Sequence, residues 1–180
     1  VEGLVREALQ VGERETGMTD IFSNLDTVLD EDFRHPIPIG IPGIDRLLKG
    51  GLAKGEIGVI LAPTGVGKTT ILTKIANTAF NLGYNVLQIF FEDNPKIVQR
   101  KHFTLWTGIE PDNLVQHKEE VMAKITDIQE TMKNELILQK LPSDTMTMNQ
   151  IKNQVRKMIA DGTKIDLILL DYIDCVVPES

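Results

Sequence analysis

"EIGVILAPTGVGKTTILTKIANTAF", residues 56–80, decides the fold. It opens on a short apolar run, turns through a glycine-rich loop and continues at helical spacing. Residues 56–62 are too few for a helix and lie between Gly55 and Pro63, so they predict a strand. From Lys68 onward, Ile71, Ile75, Ala79 and Leu82 recur on one helical face, and Gly83 is placed to end that helix as a C-cap. Between the two lies a frame of Ala62, Pro63, Thr64, Gly65, Val66, Gly67, Lys68 and Thr69. This is the phosphate-binding pattern of glycine, four residues, glycine, lysine and serine or threonine, with alanine in the first position.

The chemistry of that pattern is direct. Glycines allow backbone N–H groups to turn inward around phosphate oxygens, and the N-terminus of the following helix adds its partial positive charge. Lys68 supplies a full charge toward the β and γ phosphates, and the Thr69 hydroxyl is a candidate magnesium ligand. Thr70 completes the candidate nucleotide-binding stretch, Ala62 to Thr70. Alanine avoids positive φ, so the loop must start in a conformation that Ala62 can adopt.

The remainder alternates strand and helix. Strands are expected over 85–91 ("NVLQIFF"), 135–141 ("ELILQKL") and 164–173 ("KIDLILLDYI"). Helices are expected over 94–108, 115–132 and 147–162, the last with Ile151, Val155, Met158 and Ile159 as its buried stripe. Near-continuous apolar strands are those covered on both faces, so the pattern predicts an α/β fold with a parallel sheet flanked by helices. Upstream, Pro36, Pro38 and Pro42 exclude regular helix from 35–43, and residues 44–52 suit one or two helical turns stopped by Gly50 and Gly51. Residues 1–35 are acidic and weakly periodic, with a short amphipathic helix over 1–13. They read as a linker region, and residues 36–180 as the core domain.

Two carboxylates stand at strand ends. Asp171 follows four consecutive apolar residues, Leu167 to Leu170, at the C-terminal end of its strand, where open α/β sheets place their ligands. There it suits the magnesium side of a phosphate site, reached through the ion's own water shell; Asp166 and Asp174 are less well placed. Glu92 ends the second strand and is the candidate catalytic carboxylate, orienting or deprotonating a water that attacks the γ-phosphate. Asp93 is its rival, and either acid could instead cap the helix that begins at "NPKIVQR".

Composition narrows the rest. With 180 residues, 42% of them hydrophobic, the chain can bury a core. No apolar stretch approaches the ~20 residues of a membrane span. The N-terminus carries no secretory leader and no methionine, as expected of a chain cut from something longer. Cys175 is the one cysteine, which rules out an internal disulfide and fits a reducing, cytoplasmic setting. His35, His102 and His117 have no metal-ligand spacing. A net charge of -7 argues against a bulk electrostatic grip on DNA.

The stretch "IPIGIPGIDRLLKGGLAKGEIGVILAPTGVGKTT" resembles the start of the ATPase core in RecA-like P-loop proteins. The similarity is greatest to DnaB-like replicative helicases, particularly phage-type members, where the loop often starts with alanine and proline. "LILLDYID" resembles the metal-side strand of that family, and Glu92 through Ile109 its catalytic glutamate and following helix. The likeness covers about Ile37 to Val177. It implies a RecA-like core that binds Mg2+ and ATP, hydrolyses ATP to unwind DNA, works as a homo-hexamer and has no membrane partner. It also implies that loops contacting single-stranded DNA and an arginine finger lie outside this chain, which ends nine residues after Asp171. KaiC and RadA ATPases share the approach to the loop, and their resemblance implies a regulatory or recombination ATPase without unwinding. Tyr172, directly after Asp171, favours the helicase.

Overall fold

The computed structural model describes residues 21, 34–63, 65–172 and 176–177. Nearly all of these belong to one compact unit, His35–Ser180; the helix expected over 1–13 lies outside the described residues. The unit's sheet has three parallel strands: β1 (Val86–Phe90), β2 (Leu136–Lys140) and β3 (Leu167–Asp171). β1 is central, pairing Val86 with Leu136 on one side and with Leu167 on the other. The register places Phe90 opposite Asp171, so the last residue of β3 lies level with the end of the central strand.

Helices connect and cover the strands: α1 (Pro42–Leu47), α2 (Lys68–Asn81), α3 (Pro95–Thr107), α4 (Lys118–Thr131) and α5 (Met148–Ala160), with a 3-10 turn at Pro111–Asn113. The central strand decides the layering. Its five residues are all buried, and alternate side chains serve two cores. Val86 packs with Ile75, Ala79 and Phe80 of α2 and with Leu169 of β3. Leu87 and Ile89 pack with Ile151 and Val155 of α5, together with Phe91 and Leu141. Each fully buried side chain of this size stabilises the fold by about 1.5–3 kcal/mol. The expected parallel sheet between helical layers is what forms.

Local signals hold the ends. α3 is capped by Asn94, whose side chain accepts from the Lys96 N–H at 2.9 Å. α5 opens on a capping box between Thr147 and Gln150. Before the loop, Asp45 accepts from the N–H groups of Ile39 (2.8 Å) and Gly40 (3.0 Å), folding the proline-rich segment onto α1. α1 takes in Pro42 and Gly43, inside the stretch expected to hold no helix, because Pro42 sits in the first turn, where its missing N–H costs nothing.

Four further expectations need correction. Residues 56–62 form no strand: among the described residues no ladder reaches them, and Ile57, Val59 and Leu61 are largely exposed. An apolar run becomes a strand only when it hydrogen-bonds along an edge, and residues 56–62 pair with neither of the outer strands, β2 and β3. Leu82 and Ile159 leave their expected stripes and are exposed: Leu82 lies past the end of α2, and in the last turn of α5 it is Met158 that packs on the core. Only β1 is sealed on both faces; β3, paired on one side, leaves Ile168 half exposed. The helix expected from 115 starts at Lys118.

Among the described residues, no helix is long and apolar enough to cross a membrane.

Candidate nucleotide site

The site is built where the loop meets the C-terminal ends of β1 and β3. Gly65 and Gly67 have φ of 83° and 94°, the left-handed region that a side chain at either position would resist. Ala62 is absent from the residues with positive φ, so the loop starts in a conformation alanine tolerates. Thr64 lies outside the described residues. Gly67 is the N-cap of α2, no side chain caps that terminus, and its first turn holds no acid. The backbone donors there are therefore presented without a competing carboxylate, as an anion site requires.

Lys68 is the first residue of α2, and its side chain folds back over the loop. Its Nζ donates to the carbonyl of Ala62 at 3.2 Å and lies 5.0 Å from the centre of the Tyr172 ring. Beyond it a small cleft is lined by Thr69, Phe90, Glu92, Asp93, Asp171 and Tyr172. Thr69 thus shares one cleft with Asp171 and Glu92, three residues brought together from α2, β3 and the end of β1. Asp171 is buried to 7% exposure, while Glu92 is exposed.

The two adjacent acids are held differently. Oε1 of Glu92 accepts from the Tyr172 hydroxyl at 3.0 Å, and the Glu92 backbone carbonyl accepts from Lys140 Nζ at 3.2 Å. Asp93 instead forms an ion pair of 2.7 Å with Lys101 of α3. Neither acid caps α3, since Asn94 does.

The donor set suits magnesium. A hydroxyl (Thr69) and a carboxylate (Asp171) in one cleft are hard oxygen donors. Magnesium commonly takes one or two protein ligands and completes its shell with phosphate oxygens and water. Among the described residues no cluster of three or more acidic, histidine or cysteine side chains could cage an ion unaided.

Sequence reasoning missed two features. Tyr172 touches both Lys68 and Glu92, a relation that needs the strand register to be seen. The second is a buried network: His102 Nδ1 lies 2.8 Å from Asn77 Nδ2 of α2, and His102 Nε2 lies 3.0 Å from Gln88 Oε1 of β1. An amide nitrogen can only donate and an amide oxygen only accept, so the ring carries its proton on Nε2. Its one sequence signal is Gln88, a polar residue inside an otherwise apolar strand. Burial lowers the His102 pKa from 6.5 to about 4.

Comparison with known proteins follows the same outline. Two solved structures superpose on almost the whole chain, each covering 99% of it. One is a DnaB-like replicative helicase described with its interactions with primase (TM-score 0.72, 17% identity, 44% of that chain). The other is the ATPase domain of G40P (TM-score 0.68, 16% identity, 58% of that chain). Both share the fold. Among curated proteins, DNA repair protein RadA of Mycobacterium tuberculosis is 24% identical over 112 residues, which are 62% of this chain and 23% of that protein. RadA of Aquifex aeolicus is 31% identical over 99 residues, 55% of this chain and 22% of that one. The chain thus spans about a quarter of these curated relatives and about half of the solved ones. Residues 36–180 match the DnaB-like helicase C terminal domain, and the chain belongs to that family.

Proposed function

We propose that this chain is the nucleotide-binding part of a replicative DNA helicase, coupling hydrolysis of Mg-ATP to duplex unwinding. The observation that carries the reading is the convergence of Lys68, Thr69, Glu92 and Asp171 at one sheet end, within a chain of the DnaB-like family. The loop Ala62 to Thr70 wraps the phosphates. Its N–H donors and the N-terminus of α2 take up their charge, and Lys68 leaves the Ala62 carbonyl for the β and γ oxygens. Thr69 and Asp171 are the residues that would hold a magnesium ion, Asp171 through water. Magnesium, when bound, neutralises phosphate charge and fixes the geometry of the triphosphate. Glu92 aims a water in line with the γ-phosphate and takes its proton. The free carboxylate oxygen is available for this, since the other is held by Tyr172.

Single-stranded DNA and a homo-hexameric ring belong to the same reading, with the DNA contacts made outside this chain. The family match supports both, and the net charge of -7 fits a core that leaves DNA to a few loops. Residues 1–35 are then the linker into the core.

The RadA likeness carries a second reading, an ATPase of recombination type that hydrolyses without unwinding. Strand displacement separates them. The full-length protein that carries this sequence is expected to open a forked duplex with ATP and to fail with a non-hydrolysable analogue. DNA-stimulated hydrolysis that opens no fork would favour the RadA-type reading.

A further inference from the structure

We propose that Tyr172 is a positioning residue, holding Glu92 through its hydroxyl and Lys68 through its ring face, so that one side chain sets both of the groups read above as acting on the γ-phosphate. The proposal rests on the reading of Glu92 and Lys68 given above. Its geometry is specific. The hydroxyl donates to Oε1 of Glu92 at 3.0 Å, and the Lys68 ammonium stands 5.0 Å from the ring centre. Tyr172 follows Asp171 at the end of β3, and β3 is registered against β1, whose chain continues into Glu92. The aromatic ring is therefore anchored by the sheet itself, while Glu92 is exposed and Lys68 sits on a long side chain.

Both partners gain from this. A carboxylate on an exposed strand end samples several rotamers, and aiming a water needs one of them. A phenol on one oxygen fixes the carboxylate plane and leaves the other oxygen for the water, a charge-assisted bond stronger than a neutral one. An ammonium over an aromatic face is attracted by the ring's quadrupole, which keeps Lys68 above the loop before phosphate arrives. Lys101 meanwhile occupies Asp93, so the hydroxyl selects Glu92 from the acidic pair.

Phenylalanine at 172 keeps the ring and removes only the hydroxyl, which makes Tyr172→Phe the informative variant. In the full-length protein, kcat for ATP is expected to fall about ten- to a hundredfold, a misplacement of about 1 Å being enough to cost about a hundredfold. KM is expected to stay within about twofold. The double variant Tyr172→Phe/Glu92→Gln should be no slower than Glu92→Gln alone, because the hydroxyl acts through the carboxylate. A Tyr172→Phe enzyme with parental kcat beside an inactive Glu92→Gln would overturn the positioning role and leave the site standing. A near-normal Glu92→Gln would overturn the site reading and the role of Tyr172 with it. The 180-residue chain labelled with 3-fluorotyrosine gives a readout free of turnover. The Tyr172 resonance is expected to move on Glu92→Gln, and again when Mg-AMP-PNP draws Lys68 off the ring, while Tyr84 serves as the reference. A Tyr172 signal indifferent to both changes would contradict the proposal.

Discussion

Lys101 Nζ lies 2.7 Å from Oδ2 of Asp93, so the acid beside Glu92 is engaged by the helix that follows it. Both side chains remain about a third exposed, and such pairs contribute roughly 0–1 kcal/mol. Asp93→Asn is therefore expected to change ATP turnover by less than about fivefold in the full-length protein and to lower the melting temperature only slightly. A steady-state phosphate-release assay checks this. An inactive Asp93→Asn would exchange the roles of the two acids.

Lys68 is the cation of the loop and has no substitute within it. Lys68→Ala is expected to weaken binding of a fluorescent ATP analogue by tenfold or more, since a hydrogen bond to a charged group contributes about 1.5–3 kcal/mol. Titration of both forms at equal magnesium decides it, and equal affinities would remove the loop from the site. Alanine is preferable to arginine or glutamine, each of which keeps a donor.

Asp171→Asn keeps the shape of a buried side chain and removes its charge. Nucleotide binding is expected to persist, with affinity responding much less to magnesium than in the parent. Thr69→Ala is expected to blunt the same response, because the hydroxyl is the other proposed oxygen donor. Isothermal titration with and without magnesium measures both. A parental magnesium response in Asp171→Asn would leave Asp171 as a strand-end acid only.

His102 joins α2, α3 and β1 in its neutral form, and burial holds its pKa near 4 against an ordinary 6.5. The unfolded chain binds this proton more readily than the folded one. Stability from this group is thus complete above about pH 6.5 and is lost as pH falls toward 4, by about 3 kcal/mol. Urea unfolding from pH 7 to pH 4 is expected to show a steeper loss in the parent than in His102→Gln, which cannot titrate. At pH 7 the variant is expected to be less stable, because Gln88 and Asn77 lose a partner fitted between them. Parallel pH profiles would contradict the assignment.

Much of the fold is legible in the sequence because it is written in local terms. The buried run Val86–Phe90 and the periodic Ile75 and Ala79 are each readable within a few residues. The phosphate loop is readable for the same reason, since one loop needs only its own glycines, lysine and threonine. What fails is what depends on distant partners. Residues 56–62 have a strand's composition, but strand formation requires an edge that sequence alone does not supply. The contacts of Tyr172 with Lys68 and Glu92 arise from the register of β3 on β1, across roughly 80–100 residues of chain. His102 also reads poorly, because a buried ring and a solvated one look alike until its neighbours are known.

The most direct test follows one radiolabelled ATP at the Glu92 site. The full-length protein, loaded with ATP and magnesium and mixed with single-stranded DNA, is followed through a single turnover in the parent and in Glu92→Gln. The expected result is faster hydrolysis with DNA in the parent. In the variant, ATP stays bound with near-parental affinity while its cleavage slows about 10²–10⁴-fold, the usual contribution of a positioned acid–base group. Cleavage in Glu92→Gln at the parental rate, with ATP bound and DNA present, would contradict the central claim.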